Sequence, residues 1–388
     1  MARNTSHKTT PDVVVAGAGV IGLAIAWQSA TRGLSVVVAD PHSARGASWA
    51  AAGMLAPVTE VHYGEERLLE LNLESHARYP TWAEELNEAS GRDCGYAETG
   101  TLVVARDADD NTALNELFAF QQHLGLEVER LRGRACRQLE PALAPSTRGG
   151  ILVRGDHQID NRALLDALLT ACSRAGVHTI DRRVARVDVA DGRVVGVHLD
   201  DEERLSCQAV VIAAGAHSAG IVGLPSEAVP PVRPVKGQLL HLRGAPKERL
   251  VPRTIRGIDA YLVVRPDGRV VLGATVEEKG FDERVTAGGI HELLQAGLEL
   301  VPSITELELV ETSVGLRPGS PDNAPLLGET SVEGLVLATG HYRNGILLAP
   351  VTGWAIAELL STGETPDMIS SFSPRRFSNR SVATGAGT

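Results

Sequence analysis

The first forty residues alternate between apolar runs and glycine turns. Val13–Ala16 is a short apolar run that the glycines of residues 17–19 interrupt. Residues 20–32 have the length and composition of a helix, Gly33 stands where a helix C-cap glycine belongs, and residues 35–39 are apolar again. The pattern predicts strand, helix and strand. Because two strands joined through a helix run parallel, it also predicts a parallel sheet.

Helical periodicity and strand-like runs continue along the chain. Helices are predicted over residues 65–90, 112–125, 161–176 and 346–360. Strands are predicted over residues 183–189, 194–199, 209–214 and 335–338. From about residue 230 the pattern changes to alternating segments, at 237–242, 260–265 and 269–274. This alternation is typical of an antiparallel sheet with one exposed side.

These elements predict an α/β fold with an added α+β part. Because buried-strand runs stand near the start, the middle and the end of the chain, we expect a Rossmann-like nucleotide-binding domain that is discontinuous in sequence, with an antiparallel-sheet substrate domain inserted. The predicted ranges are 11–85, 150–225 and 326–365 for the nucleotide-binding domain, 86–149 and 226–325 for the substrate domain, and 1–10 and 373–388 for flexible tails.

Composition and charge narrow the class of ligand. Hydrophobic residues make up 43% and charged residues 22% of the 388 residues, as in an ordinary globular protein. The formal net charge of -11, without a clustered Lys/Arg run, removes the main attraction for nucleic acid or an anionic membrane, so we expect a small-molecule ligand. Residues 13–30 carry no charge, but three glycines argue against a membrane span. Residues 1–10 show no export signal, and we expect a cytoplasmic protein.

The cysteines give no sign of a metal site or a disulfide framework. Cys94, Cys136, Cys172 and Cys207 lie far apart, with no Cys-x-x-Cys pair and no histidine at metal-ligand spacing. We therefore expect isolated reduced thiols and no bound metal.

The glycines at the first turn predict a dinucleotide site. Gly17, Gly19 and Gly22 match G-x-G-x-x-G between a strand and a helix, and Asp40 ends the next predicted strand. The glycines permit a tight turn and close approach of a pyrophosphate to the helix N-terminus, while the acid would accept hydrogen bonds from an adenosine ribose. The alternative is a glycine-rich turn in an unrelated α/β protein. FAD and NAD both remain open, because they share the ADP half.

Residues 45–57 bear on that choice. They follow the acid almost directly, and their small side chains would let backbone pass close to a flat ring, whereas an NAD enzyme would normally continue with another strand and helix. A packing turn of small residues is the alternative. The sequences SWAAAGMLAP, at 48–57, and GHYRNGILLAP, at 340–350, together with the glycines and Asp40, resemble the flavin-dependent D-amino-acid oxidase superfamily, and within it the glycine oxidases of thiamine biosynthesis.

The resemblance implies non-covalent FAD and a set of cofactor contacts. Relatives that hold flavin covalently carry a cysteine near the position of Gly315, which this chain lacks. The implied cofactor-binding residues are Gly17, Gly19, Val20, Ile21, Gly22, Asp40, Pro41, Ala47, Ser48, Ala52, Gly53, Met54, Val184, His341, Tyr342, Asn344, Gly345, Ile346 and Leu347.

The resemblance also implies an amino-acid site. Arg317 matches the family's carboxylate-binding arginine, Tyr261 its active-site tyrosine, and Arg343 is a further candidate for substrate contact or for shaping the entrance. The implied reaction is hydride transfer from an amino acid to flavin N5, with dioxygen as acceptor, hydrogen peroxide as by-product and no protein base at the Cα proton. Glycine is the expected substrate, its imine serving thiamine thiazole synthesis or hydrolysing to glyoxylate and ammonia. The N-terminus of the predicted helix at 346 would face the reduced flavin.

Other assignments stay open at this point. A relative acting on sarcosine or a D-amino acid, or one passing electrons to a quinone, fits the same residues. A non-catalytic FAD-binding partner protein is the alternative of another class. Homo-oligomer assembly and contact with thiazole-synthesis enzymes are further expectations by analogy with the family.

Overall fold

The computed structural model describes residues 10–244 and 250–377. Its strands are β1 Val13–Ala16, β2 Val36–Ala39, β3 Met54–Leu55, β4 Tyr96–Ala97, β5 Thr101–Ala105, β6 Glu129–Arg132, β7 Gly149–Val153, β8 His157–Ile159, β9 His178–Ile180, β10 Val184–Ala190, β11 Arg193–Leu199, β12 Arg204–Leu205, β13 Ala209–Ile212, β14 Arg233–Arg243, β15 Thr254–Arg256, β16 Tyr261–Val264, β17 Arg269–Gly273, β18 Glu308–Gly319, β19 Leu326–Glu329 and β20 Leu335–Thr339. Its α-helices are α1 Val20–Thr31, α2 Ala47–Ala50, α3 Glu66–Ser90, α4 Ala108–His123, α5 Gly133–Leu139, α6 Asn161–Arg174, α7 Ala287–Leu300, α8 Ala349–Thr362 and α9 Asp367–Ser370.

A six-stranded sheet carries the predicted parallel core. Its order is β19-β20-β13-β1-β2-β9, and all neighbours run parallel except β19, which is antiparallel to β20. Val13 pairs with Val36 on one side and with Ala209 on the other. Strands from the start, middle and end of the chain therefore lie side by side, which confirms the predicted α/β fold.

Alternate residues of β1 face two different layers. Val13 and Val15 pack in the core formed with α1, α3, α6 and α8, whereas Val14 and Ala16 pack against β10 and β11. Both faces of the strand are covered, which explains why it reads as a continuous apolar run. Strands β10, β11 and β12 form a small antiparallel sheet, in which β10 and β11 match the strands predicted over residues 183–189 and 194–199.

The other large sheet has eight strands, in the order β18-β14-β17-β16-β15-β5-β7-β6. Its pairs are antiparallel except β15 with β5. Leu240 and Leu262 face helix α7, while Leu239 and Val263 face the small-residue segment that contains Ala50. The sheet thus places one face against the segment predicted to hold a flavin. A fourth sheet, of three strands, has the order β3-β8-β4.

The last long helix differs from its prediction at its start. Helix α8 begins at Ala349, not at 346, with Pro350 in its first turn. Proline has no N–H to donate and fits only the first turn of a helix, so a helix that started earlier would place Pro350 in its interior. The carbonyl oxygens of Ile346 and Leu347 instead accept hydrogen bonds from Tyr79 and Ser75 of α3, at 2.7 Å each. Residues 346–348 are therefore a turn, and the helix N-terminus lies further along the chain than predicted.

The predicted domain ranges remain predictions, but the sheets can be compared with them. The strands of the six-stranded sheet all fall in the ranges predicted for nucleotide binding, whereas β7 spans the predicted boundary at 150 and pairs within the eight-stranded sheet. Of the predicted tails, residues 1–9 and 378–388 lie outside the described residues. Residues Pro374–Phe377 form a short 3-10 helix, in which Arg376 pairs with Asp322 at 2.9 Å.

Candidate active site

A cavity of about 1510 Å3 opens between the two large sheets. The ends of β1 and β2, the start of α1, the α2 segment and one face of the eight-stranded sheet form its walls. The predicted site residues that line it are Gly17, Gly19, Val20, Ile21, Asp40, Pro41, Ala47, Ser48, Ala52, Gly53, Met54, Val184, Tyr261, Arg317, His341, Tyr342, Arg343, Asn344, Gly345, Ile346 and Leu347. The fold therefore brings together residues that are scattered along the sequence.

The glycine turn approaches its neighbours too closely for side chains. Gly17 has φ +111°, and a Cβ there would lie 2.5 Å from the carbonyl oxygen of Ala213. A Cβ at Gly22 would collide with the carbonyl oxygen of Gly17, and Gly22 is not among the residues that line the cavity. Gly22 thus allows the turn and the helix to pack together, while Gly19, at the N-cap of α1, faces the cavity.

Asp40 fixes the glycine turn as well as facing the cavity. Its Oδ2 accepts a hydrogen bond from the Ala18 N–H at 2.7 Å, and its Oδ1 accepts one from the His42 N–H at 2.7 Å. A carboxylate has about four acceptor positions, so positions remain for ribose hydroxyls. The acid expected to bind a ribose is held in place by backbone on both sides.

The small-residue segment is anchored by polar side chains from other elements. Ser48 Oγ accepts a hydrogen bond from the Val20 N–H at 3.1 Å, which joins the segment to the start of α1. Asn161 Nδ2 donates to the carbonyl oxygens of Ser48 at 2.9 Å and Trp49 at 2.8 Å. The short helix α2 is therefore held by α1 on one side and α6 on the other.

Arg265 anchors the far end of the same segment. Its guanidinium is buried and donates to the Ala52 carbonyl oxygen at 2.6 Å and to Gln158 Oε1 at 2.8 Å. The next residue, Gly53, has φ +75°, and a Cβ there would collide with the carbonyl oxygen of Ile159. The backbone of this segment consequently lies flat against β8 and leaves its other side to the cavity.

The residues that follow β20 form another wall. His341 is buried, with Nε2 at 3.1 Å from Thr352 Oγ1, and burial lowers the pKa of His341 to about 3. The imidazole is therefore neutral near pH 7 and does not serve as a proton donor to a ligand. Tyr342, with φ 47°, donates its N–H to the Pro318 carbonyl oxygen at 3.0 Å, which joins this wall to β18.

Arg317 and Tyr261 lie next to each other in the cavity. The Nη1 of Arg317 donates to the carbonyl oxygens of Thr275 at 3.1 Å and Lys236 at 3.4 Å. No carboxylate in the described part of the chain lies within ion-pairing distance of this guanidinium. Burial raises the pKa of Tyr261, which Arg317 and Arg256 partly offset, so its hydroxyl remains a hydrogen-bond donor at neutral pH. An oriented cation without an acid faces the cavity beside a phenol.

Arg343 lines the cavity but is already paired. Its Nη2 contacts Glu65 Oε2, and its Nε lies 3.3 Å from Glu60 Oε2. Glu60 also pairs with Arg256, the strand neighbour of Tyr261. Glu60 and Arg256 also line the cavity, although neither is among the site residues predicted from the sequence. Arg256 stands in a mixed stretch with Arg253 and Asp259 close by, so no signal in the sequence set it apart.

Comparison with known proteins now identifies the family. The model of the DAO family, described as FAD dependent oxidoreductase, matches residues 12–359. The chain belongs to the DAO family. It is 34% identical to the solved glycine oxidase of Geobacillus kaustophilus, with a TM-score of 0.88 over 95% of this chain and 99% of that one.

Two curated relatives extend the picture of this DAO family member. It is 35% identical to the bifunctional protein ThiO/ThiG of Synechocystis over 377 residues, which are 95% of this chain and 54% of that protein. The chain thus spans about half the length of that relative. It is 32% identical to the hydrogen cyanide synthase subunit HcnC of Pseudomonas aeruginosa, over 95% of this chain and 96% of that protein.

The cavity fits the FAD on which the DAO family depends. The start of α1 faces the cavity, and the Ala47 to Met54 segment offers small side chains over a wide wall. At Gly17 and Gly53 the backbone lines the cavity while it packs too closely against the chain behind it for a Cβ. The cysteines are all buried away from the cavity lining. In the described residues, no group of acids, histidines and cysteines is suited to a metal ion, and no helix is long and apolar enough to cross a bilayer.

Proposed function

We propose that this DAO family member is an oxidase of glycine that uses non-covalent FAD, with sarcosine and small D-amino acids as further candidate substrates. The observation that carries the proposal is Arg317, an oriented guanidinium without a carboxylate partner in the described chain, beside Tyr261 in the cavity that fits FAD. A planar guanidinium matches the two oxygens of a carboxylate and binds them through two charge-assisted bonds.

The residues around the substrate bind and orient it. Arg317 would hold the carboxylate, and the Tyr261 hydroxyl, kept protonated by burial, would donate a hydrogen bond to the same end of the substrate. FAD, when bound, would supply the redox chemistry, for which the substrate Cα–H would be the hydride source and dioxygen the final electron acceptor. His341 is neutral and hydrogen bonded to Thr352, so it contributes a wall and no proton. Orientation rather than acid–base chemistry is then the main contribution of the chain.

The expected product is an imine. It would hydrolyse to glyoxylate and ammonia, or would supply iminoglycine to thiamine thiazole synthesis. The similarity to a protein named ThiO/ThiG supports this placement and the expectation of thiazole-synthesis enzymes as partners. Homo-oligomer assembly and a cytoplasmic location remain predictions.

An anaerobic absorbance experiment tests the proposal. The purified holoenzyme would be mixed with glycine, sarcosine, D-alanine or D-proline, and loss of the flavin absorbance would be recorded before air is admitted. We expect glycine to bleach the flavin, and air to restore the colour with release of hydrogen peroxide. Absence of bleaching by all four compounds would contradict the proposal and favour a non-catalytic FAD-binding protein. Release of flavin by denaturant alone tests the non-covalent attachment.

A second candidate is a subunit of a larger enzyme that passes electrons to an acceptor other than dioxygen. The similarity to HcnC, named as a synthase subunit, favours it. Apolar side chains also lie exposed at the cavity, among them Val276, 68% exposed, and Phe281, 56% exposed. Rapid bleaching by glycine with slow recovery in air, and fast recovery with a soluble quinone, would identify this case.

A further inference from the structure

The three arginines near Tyr261 differ in whether they form ion pairs with acids. Arg256 and Arg317 both act electrostatically on Tyr261, and Arg343 acts on Arg256. Arg256 pairs with Glu60, and Arg343 pairs with Glu60 and Glu65. Two positive charges are therefore matched by two carboxylates, and only Arg317 of these three lacks an acid in the described part of the chain.

Glu60 is the acid that both paired arginines share. Besides the two ion pairs of its side chain, its backbone carbonyl oxygen accepts a hydrogen bond from Arg343 Nη2 at 3.3 Å. The side chain of Glu60 is 12% exposed and that of Arg256 is 19% exposed. Electrostatic interactions at such sites are stronger than at an open surface, because little water screens them.

The loop that carries Glu60 is held from below by a buried acid. Asp156 accepts hydrogen bonds from the Val58 N–H at 3.1 Å, the Thr59 N–H at 2.8 Å and the Thr59 hydroxyl at 2.6 Å. Gln121 Nε2 donates to the Val58 carbonyl oxygen at 3.0 Å. The backbone next to Glu60 is thus fixed on both its donor and acceptor sides, so the carboxylate is presented at a defined place in the cavity wall.

We propose that Glu60 is a specificity-determining residue that restricts the site to substrates with a single carboxylate. The proposal rests on the proposed function, in which Arg317 binds that carboxylate. A second carboxylate on the substrate would meet the negative charge of Glu60, and like charges brought together in a partly buried site repel strongly. If the charge of Glu60 is removed, Arg256 and Arg343 become a second anion subsite. The site then admits dicarboxylates similar in length to its monocarboxylate substrates.

Binding of two non-reactive acids tests the proposal without depending on turnover. Acetate and malonate, which differ by one carboxylate, would be titrated into the holoenzyme and their Kd values read from the change in flavin absorbance. In the Glu60→Gln variant we expect the preference for malonate over acetate to rise by about tenfold or more over that of the parent chain. Glu129→Gln is the matched control, because Glu129 pairs with Arg154 on the surface, where their side chains are 52% and 70% exposed. It should leave the preference unchanged.

The variants separate the possible outcomes. If the preference for malonate over acetate is unchanged in Glu60→Gln, with full flavin content and normal acetate binding, the proposal is overturned. If the preference rises in Glu60→Gln and the rise disappears when Arg256→Gln is added, the proposal is supported. If Glu60→Gln does not retain flavin, Glu65→Gln carries the test: it removes the second acid of Arg343 and should shift the preference in the same direction, and no shift overturns the proposal.

Turnover gives a second measurement. Sarcosine and iminodiacetate are both secondary amines and differ by one carboxylate, so the ratio of their kcat/KM values should move toward iminodiacetate in Glu60→Gln. If the parent chain oxidises no amino acid, the proposed function fails, while the acetate and malonate comparison still decides the role of Glu60.

Discussion

Replacement of Arg317 by lysine is the sharpest test of the substrate site. Arg317 lies in β18 opposite Val235, and its Nη1 bonds to two backbone carbonyl oxygens hold the guanidinium plane toward the cavity. Lysine keeps the charge but has neither the plane nor a second parallel N–H, so one of the two carboxylate bonds is lost. A hydrogen bond to a charged group contributes about 1.5–3 kcal/mol, which corresponds to about a 10- to 150-fold weaker Kd.

The assay measures the Kd for acetate by flavin titration and the KM for glycine by oxygen consumption. We expect both to rise within that range in Arg317→Lys, with flavin content unchanged because Arg317 makes none of the hydrogen bonds that anchor the glycine turn and the small-residue segment. Arg154→Lys, at an exposed surface pair, is the control and should behave as the parent chain. Normal acetate binding and a normal KM in a fully flavinated Arg317→Lys protein would refute the assignment of Arg317 to the carboxylate.

Three further predictions concern the walls of the cavity. The unfolded chain binds a proton at His341 below about pH 6.5, whereas burial keeps the folded chain from binding it until about pH 3. Between these pH values His341 therefore lowers the free energy of unfolding by about 1.4 kcal/mol for each unit of decreasing pH. Urea unfolding between pH 4 and 6 should show a shallower fall in the His341→Gln variant. Gly53→Ala should lower the thermal midpoint and the flavin content more than Gly46→Ala does. Both glycines have positive φ, but only at Gly53 would a Cβ collide with backbone. Equal losses in the two variants would contradict this contact. Asn161→Ala removes the donor that bonds the carbonyl oxygens of residues 48 and 49. It should weaken FAD binding about tenfold, as measured by titrating FAD into the apoprotein. An unchanged Kd would show that this anchor has no role in FAD binding.

The residues on the proposed cofactor side of the cavity could be selected from the sequence because their signals are local. The glycines of the first turn, Asp40 and the small-residue segment each occupy a few consecutive residues, and the fold places them where a strand, a turn and a helix start must lie. Gly22 does not line the cavity and instead lets the turn and α1 pack together. Local backbone requirements leave a readable trace in one sequence.

The charge pairs were not predictable for the opposite reason. Arg343 was a candidate for substrate contact or for shaping the entrance, but its partners Glu60 and Glu65 come from a loop that the fold alone brings to it. Any of the many acids of the chain could have filled that place, since an ion pair imposes no sequence pattern on distant partners. The start of α8 was missed for a simpler reason: Pro350 was present in the sequence, and its restriction to the first turn places the start at Ala349.

The two ends of the cavity are built on different physical grounds. At the proposed cofactor end, Asp40 accepts a hydrogen bond from backbone, and Asn161 and Arg265 donate hydrogen bonds to it, so the shape of the wall is set by the chain itself. A ligand that binds there orders little further backbone, and less of its binding energy is lost to that ordering. At the proposed substrate end the backbone is also fixed, but neighbouring arginines differ in whether an acid pairs with them. On the proposed function, shape would therefore select the cofactor, and the balance of charge around Arg317 would select the substrate.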